Sequence, residues 1–218
     1  KIVKSGCDDV LPLMSSAKRD PIMQALQLDI PEAIHYIESS VSNMDTFTKA
    51  ILKLSRLGRL QLEIVNVDIR SVVEKRLESL GYQISQKNIK VIVGALPTIA
   101  ADLVSMEQIF GNILANAIAY LVPDRPGEIE ISAWSNAHET IFRVRDNGRG
   151  IAKEDMDKVF APFRRAGKQD VPGEGMGLAY VQTLVRRHGG RIWCESQPNL
   201  GTTFCFTISN HLLKDDQN

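Results

Sequence analysis

The glycines of this 218-residue chain are concentrated in one stretch, and this constrains the fold more than any other feature of the sequence. Nine of the fifteen glycines lie between Gly148 and Gly201, whereas residues 1–62 contain two, Gly6 and Gly58. Glycine tolerates tight turns and a close approach of the backbone to a ligand. The distribution therefore predicts two unlike halves, with ligand-binding backbone in the second.

Composition and charge exclude several classes of protein. The 26 Lys and Arg residues balance the 26 Asp and Glu residues, whereas a nucleic-acid-binding surface usually brings a basic excess, so we predict no nucleic-acid partner. No apolar run approaches the roughly 20 residues that span a bilayer, and the N-terminus lacks a signal-peptide pattern. The three cysteines form no CxxC pair. These features predict a cytoplasmic, reducing location. The start at Lys1 suggests a piece of a longer protein, whose membrane attachment the sequence does not reveal.

Residues 29–59 carry the spacing of one long helix. Asp29 and Pro31 are typical of a helix start, and Gly58 is typical of a helix end. Between them the apolar residues recur in steps of three or four, at Ile34, Ile37, Val41, Met44, Phe47, Ile51 and Leu54. Such a stripe is either a face buried within the chain or a self-association face, because a lone helix cannot bury it.

The chain is predicted to have three parts. Residues 1–62 form a helical region, in which residues 9–28 supply a short partner helix interrupted by prolines. Residues 63–212 form a mixed domain, and residues 213–218 form a polar tail.

Strand and helix patterns alternate through the mixed domain. We predict strands at 63–67, 90–93, 128–134, 140–144, 191–194 and 203–208, and helices at 68–80, 103–121 and 176–187. This order predicts an α+β fold of two layers, with an antiparallel-rich sheet on one side and helices on the other.

Three segments of this domain carry candidate chemistry. The segment 146–150 (DNGRG) follows a predicted strand, so its carboxylate could accept a hydrogen bond from a planar base beside bare glycine backbone; Asp-Asn-Gly is also a common turn. The segment 173–178 (GEGMGL) runs into a helix, which makes it either a phosphate cradle or a surface loop. Asn112 and Asn116 lie one helical turn apart, where amide oxygens could hold a hard cation or merely face solvent.

Five segments follow one another in a recognisable order: GNILANAIAY, DNGRGI, VFAPFRR, GEGMGLAYV and GTTF. They resemble, in turn, the N box, first glycine box, F box, second glycine box and last glycine box of the ATP-binding domain of sensor histidine kinases, in the GHKL superfamily. AILKLSRLG resembles the end of the second helix of the dimerisation and phosphotransfer hairpin. The resemblance covers about residues 30–210. It implies a two-layer α/β sandwich of the Bergerat type, preceded by a helical dimerisation hairpin.

The resemblance also implies roles for the matching residues, with ATP and Mg²⁺ as the cofactors. Asn116 would ligate Mg²⁺, Asn112 would support the phosphates, and Asp146 would bind the adenine amino group. Gly148 and Gly150 would let the purine lie close. Further nucleotide-binding residues are implied at Tyr120, Ile151, Phe163, Arg165, Gly173, Gly175, Met176, Gly177, Leu178 and Thr203.

Some of these positions have a more specific implied role. Phe160 and Phe163 would anchor one end of a mobile lid over residues 166–172, and Arg165 would reach the phosphates. Thr203 would line the floor of the base pocket. One position departs from the pattern, because Ala119 stands where the family often has a lysine. We therefore expect one phosphate contact to be missing or to come from another cation.

The reaction type follows from Asn112. Hydrolysing relatives carry a glutamate about one turn before the metal-binding asparagine to activate water, and an asparagine cannot act as a general base. The sequence therefore favours phosphoryl transfer over ATP hydrolysis.

None of the four histidines has the family's acceptor context, His-Glu/Asp-x-x-x-Pro. They are His35, His138, His188 and His211. The segment SAKRDP matches superficially, with Ser16 where the histidine would stand, but it lies too close to Leu54 for two full helices and a turn. We predict that the acceptor histidine lies upstream of Lys1.

The resulting hypothesis is a sensor histidine kinase of a two-component system. It would bind Mg-ATP, phosphorylate that histidine and pass the phosphate to an aspartate of a response regulator. Its partners would be a second copy, through the helical hairpin, and a response-regulator receiver domain. The alternative is a catalytically degenerate, nucleotide-sensing dimerisation module. A serine kinase of the anti-sigma type is disfavoured, because such kinases lack the preceding hairpin helix.

Overall fold

The structure is a computed structural model that describes residues 23–59, 61–164, 173 and 175–212. The chain divides into two compact units, Lys1–Leu52 and Lys53–Asn218. A π-helical turn (Ala25–Asp29) comes first. The elements that follow are α1 (Ile30–Arg59), β1 (Ile64–Asp68), α2 (Ile69–Ser79), α3 (Gly81–Gln86), β2 (Lys90–Val93), β3 (Thr98–Asp102), α4 (Leu103–Ala119), β4 (Glu128–Ser135), β5 (Glu139–Asp146), a 3-10 helix (Lys153–Lys158), α5 (Gly177–Arg187), β6 (Ile192–Gln197) and β7 (Gly201–Ser209). The boundaries expected at residues 62 and 212 stay predictions.

The long α-helix begins at Ile30, directly after the start predicted at Asp29, but a π-helical turn precedes it, so Asp29 does not cap a free helix end. The N–H of Ile30 donates to the carbonyl of Ala25, five residues earlier, so the turn is wider than an α-helical one. Pro31 follows directly and has no N–H, and its ring would collide with a carbonyl in a regular turn. A π-helical turn relieves this crowding without ending the helix. Of the partner helix expected at 9–28, residues 9–22 lie outside the described residues.

The mixed domain is built on a five-stranded sheet in the order β2-β4-β5-β7-β6. Strand β2 runs parallel to β4, and the other neighbours are antiparallel. Strands β1 and β3 form a separate antiparallel pair. The expected two-layer α+β sandwich is therefore confirmed. Sequence patterns missed α3 and β3, which are short and lack a regular apolar period.

The core lies between this sheet and helix α4. The rings of Phe110 from α4, Phe142 from β5 and Phe206 from β7 are fully buried, with centroids 5.0 to 5.6 Å apart. Aromatic pairs at such distances add about 0.5–1.5 kcal/mol each beyond the area that they bury. The contact fixes α4, and with it Asn112 and Asn116, against the centre of the sheet.

Hydrogen bonds of Asp102 and His188 join the start of α4 to the end of α5. Asp102 accepts a hydrogen bond from the N–H of Ser105 (2.7 Å) and so caps α4. The N–H of Asp102 donates to Nε2 of His188 (3.1 Å), whose other ring nitrogen donates to the carbonyl of Leu184 (2.8 Å). Burial lowers the pKa of His188, which is fully buried and therefore neutral.

No helix among the described residues has the length and apolar content needed to cross a bilayer.

Candidate functional site

A single cavity of about 790 Å³ collects most of the sequence-predicted site residues. It lies between α4, the turn after β5, the glycine segment before α5, and β7. Among the predicted residues, those that line it are Asn112, Asn116, Tyr120, Asp146, Gly150, Ile151, Gly173, Gly175, Met176, Gly177 and Leu178. Cavities of this size are typical of small-molecule sites. Residues more than 60 positions apart are thus brought to one place by the sheet order.

Asp146 lies at the end of β5, and one of its two carboxylate oxygens is held in place. Oδ1 accepts hydrogen bonds from the N–H groups of Gly148 (2.8 Å) and Thr202 (3.3 Å). Within the described parts of the chain, Oδ2 accepts none, so it is available to a ligand in the cavity. Burial raises the pKa of the Asp146 carboxyl to about 6, and the two N–H donors offset only part of this effect. This geometry suits a carboxylate that accepts a hydrogen bond from a base.

Hydrogen bonds hold the turn that follows Asp146 in place, and they involve residues that the sequence patterns did not indicate. Arg125 donates to the carbonyls of Asn147 (2.6 and 2.9 Å) and Gly148 (2.9 Å). The side chain of Asn147 bonds the N–H of Glu128 and the carbonyl of Pro126, both at 2.8 Å. No spacing links Arg125 to this turn, so only the folded chain reveals the contact.

The two glycines of the turn serve backbone contacts. A Cβ on Gly148 would lie 2.5 Å from the carbonyl oxygen of Tyr120, and Gly148 does not line the cavity. The missing side chain of Gly148 thus admits the end of α4, and its expected place beside the purine stays a prediction. Gly150 does line the cavity and has φ +70°, and a Cβ there would collide with the carbonyl of Gln197.

The two asparagines of α4 line the cavity, and Asn112 lies against the glycine segment. The Asn112 amide donates to the carbonyl of Gln108 (2.8 Å), and its Oδ1 lies 2.9 Å from where a Cβ of Gly177 would be. Gly177 is the first residue of α5, whose free N–H groups suit an anion. Asn116 is half-buried in the cavity wall, and its side chain makes no hydrogen bond within the described residues. Its amide oxygen is a donor type that fits Mg²⁺.

The aromatic residues before the expected lid pack against the domain. The ring of Phe160 meets that of Phe204 edge-on, with centroids 6.3 Å apart. Phe163 donates its N–H to the carbonyl of Gly175 (3.1 Å), but it does not line the cavity, which differs from its expected place at the nucleotide. Arg165 and the lid at 166–172 lie outside the described residues.

Thr202, rather than the predicted Thr203, lines the cavity. Successive residues of a strand point to opposite faces, and Thr202 is the one on the cavity side of β7. Its hydroxyl lies 2.9 Å from that of Ser196, which also accepts the N–H of Ile151 (2.8 Å). Ser196 is a further residue that sequence patterns did not indicate.

Comparison with protein-family models matches residues 101–211 to the family described as histidine kinase-, DNA gyrase B-, and HSP90-like ATPase. The chain is 32% identical over 188 residues to the phytochrome-like protein Cph1 of Synechocystis sp.. The match covers 85% of this chain and 25% of that protein. The chain spans 19% to 25% of the length of four such curated relatives.

Solved structures of similar fold agree with this match. The Acinetobacter baumannii histidine kinase AdeS has a TM-score of 0.64 at 24% identity, over 90% of this chain and 98% of that one. Full-length ShkA in complex with AMPPNP has a TM-score of 0.64 at 25% identity, over 82% of this chain and 38% of that one.

Proposed function

Because the chain belongs to the family of histidine kinase-, DNA gyrase B- and HSP90-like ATPases and contains a sensor histidine kinase catalytic domain, we propose that it binds Mg-ATP and transfers the γ-phosphate to a histidine. The observation that carries this proposal is the single cavity that joins Asp146, the two asparagines of α4 and the glycine-led start of α5. These are a base acceptor, a cation ligand and an anion cradle, which are the parts that a nucleotide triphosphate requires.

Different residues of the cavity bind different parts of the nucleotide. Oδ2 of Asp146 accepts a hydrogen bond from the exocyclic amino group of adenine, while its Oδ1 is held by backbone. Asn116 would hold Mg²⁺, which when bound would supply positive charge to the phosphates. The N–H groups at the start of α5 receive the phosphate oxygens, supported by Asn112. The chain contributes positioning and charge, which is what phosphoryl transfer demands of a protein.

Transfer rather than hydrolysis is supported by the carboxylates of the cavity. Among the described lining residues these are Asp146 and Glu107. Glu107 accepts hydrogen bonds from Lys75 (3.0 Å) and Arg76 (3.4 Å), so its oxygens are engaged away from the nucleotide. Asn112 cannot take a proton from water. No described carboxylate is therefore placed to activate water beside the phosphates.

The acceptor is proposed to be a histidine outside this sequence. His188 is buried, with both ring nitrogens hydrogen-bonded, so it cannot act as a nucleophile. His138 and His211 lie beside each other, with ring centroids 6.0 Å apart, and neither lines the cavity. His35 is exposed on α1 in a sequence context unlike that of an acceptor. The phosphate would pass from the acceptor to an aspartate of a response-regulator receiver domain, and we propose a cytoplasmic location for these steps.

A second copy of the chain is the proposed partner of α1. Its apolar stripe is exposed in the single chain, with Ile37, Val41 and Met44 each more than half exposed. A helix of this kind buries its stripe by pairing.

Nucleotide titration tests the site directly. Asp146→Asn keeps both backbone hydrogen bonds but places an N–H₂ group opposite the adenine amino group, so ATP affinity should fall by at least about tenfold. Asn116→Ala should lower ATP affinity and remove the effect of EDTA on it. Binding of a fluorescent ATP analogue, with circular dichroism to confirm folding, measures both. Unchanged affinity in D146N would contradict the adenine assignment, and a further loss on adding EDTA to N116A would contradict the metal assignment.

A further inference from the structure

The positive charges of the cavity are unequally engaged. Among the described residues, four cationic side chains line it: Lys53, Arg76, Arg149 and Arg164. Ala119 also lines it but brings no charge, although it stands where a lysine is common in the family. A bound triphosphate needs cations beyond its metal ion, so one of the four is expected to fill this role.

Three of these side chains already have a partner. Nζ of Lys53 lies 4.9 Å from the centre of the Tyr180 ring, and the guanidinium of Arg149 lies 4.5 Å from that of Tyr120. Nη2 of Arg76 lies 3.4 Å from a carboxylate oxygen of Glu107. Arg164 differs from them, because within the described part of the chain its exposed side chain has no hydrogen bond, ion pair or ring contact.

The backbone brings Arg164 to the glycine segment. Its neighbour Phe163 has φ +60° and donates its N–H to the carbonyl of Gly175 (3.1 Å). Gly175 has φ +71°, and a Cβ there would lie 2.8 Å from the carbonyl oxygen of Arg164. A positive φ at a bulky residue such as Phe163 costs about 1–2 kcal/mol and persists only where the surroundings impose it. The chain thus holds Arg164 against the backbone that leads into α5.

We propose that Arg164 binds the phosphates of the nucleotide and supplies the positive charge that Ala119 does not. The inference rests on the proposed function, since it names a further residue of the same site. A guanidinium suits this task because it offers paired N–H donors to phosphate oxygens and keeps its charge at all working pH values.

The test compares nucleotides that differ only in phosphate. We expect Arg164→Gln to lower the affinity for Mg-ATP by about tenfold and to leave the affinity for adenosine unchanged, as measured by competition with a fluorescent ATP analogue. Arg186→Gln is the matched control, because Arg186 is exposed on α5 and does not line the cavity. It should change neither affinity. An unchanged affinity of R164Q for Mg-ATP, or an equal loss for adenosine, would overturn the proposal.

A second variant tests whether a positive charge at residue 119 can replace the one at residue 164. Ala119→Lys introduced into R164Q should restore most of the lost Mg-ATP affinity, because residue 119 lines the same cavity. Failure to restore it would overturn the claim that Arg164 replaces that lysine. The unmodified chain separates this inference from the proposed function: if it does not bind Mg-ATP, the proposed function fails, whereas normal binding with no effect of R164Q refutes the inference alone.

Discussion

At the scale of the residue, the proposed role of Asp146 in nucleotide binding and the stability of the fold make opposite demands on its carboxyl group. A carboxylate that accepts a hydrogen bond from a base must be charged and dry, and Asp146 is 4% exposed. Burial of that charge raises the pKa of Asp146 from 3.8 to about 6. A folded protein that binds a proton more tightly than the unfolded chain becomes more stable as the pH falls through that window. Above pH 6 the charged Asp146 therefore destabilises the fold.

The first residue-scale prediction concerns Asp146→Asn in the absence of nucleotide. The amide keeps the contacts of Oδ1 with Gly148 and Thr202 but carries no charge. The variant should be more stable than the unmodified chain at pH 7.5, by up to about 3 kcal/mol, and this difference should shrink to zero as the pH falls from 6 to below 4. Urea unfolding at several pH values measures it.

D146N has to be compared with the unmodified chain at each pH, because the titration of His188 changes the stability of the fold in the opposite direction. Burial lowers the pKa of His188, so the fold loses stability as the pH falls through 6.5 and below. His188 is present in both proteins and cancels in the difference. A difference that stays constant between pH 7.5 and 4 would contradict a charged, buried Asp146.

Sequence reasoning identified Asp146, but it could not identify what holds it. The motif of the turn is local, so residues 146–150 can be read in order along the chain. Arg125 and Ser196 reach the same turn through the fold, at separations of more than 20 and 40 residues. Residue type alone does not distinguish them from any other surface arginine or serine.

At the scale of the element, the glycines show where backbones must cross closely. Gly150 meets the carbonyl of Gln197, and Gly201 meets the carbonyl of Asp146, so the turn after β5 packs against the loop between β6 and β7. Both glycines have positive φ. The glycine-rich composition of this region therefore serves the joining of two loops as well as the cavity.

The element-scale prediction uses two glycines that differ in surroundings. Gly150→Ala should destabilise the protein by more than about 1 kcal/mol, because it adds a Cβ in the left-handed region against the carbonyl of Gln197. Gly81→Ala is the control, since Gly81 begins α3 and a Cβ there has no neighbour within 4 Å. It should be neutral or slightly stabilising. Thermal unfolding measures both, and equal melting temperatures for the two variants would contradict the steric argument.

Strand parity and helix continuity mark the limit of prediction at this scale. The motif GTTF indicates a strand at the cavity but does not say which threonine faces inward, and the pairing of β7 with β5 decides for Thr202. Pro31 indicates a helix start in isolation, yet a π-helical turn carries the helix past it. In both cases the surrounding structure outweighs the preference of the local sequence.

At the scale of the whole molecule, the long helix carries more apolar surface than a single chain needs. Val41 is 60% exposed and Met44 is 67% exposed on α1. Exposed apolar stripes at heptad-like spacing are typical of association surfaces. This stripe is the observation that supports the proposal of a homodimer.

The whole-molecule prediction is that Val41→Glu combined with Met44→Glu weakens dimerisation at least about tenfold, because buried unpaired charges oppose helix pairing. Sedimentation velocity over a range of protein concentrations measures it. Ser42→Glu is the control, since Ser42 is exposed on the same helix but outside the stripe. An unmodified chain that stays monomeric throughout, or a double variant that dimerises equally well, would contradict the prediction.

The sequence by itself determined the two unlike halves, the α+β order and the set of segments that converge on the cavity. These depend on local periodicity, on glycine placement and on motifs of five to ten residues, all of which can be recognised from nearby residues in the sequence. Only the tertiary structure decided which atoms face the cavity: among the described residues these are the oxygen of Asp146 that accepts no hydrogen bond, Thr202 in place of Thr203, and the lining arginine without a partner, Arg164. The physical reason is that burial, strand parity and charge pairing are set by neighbours distant in sequence, which no local pattern specifies.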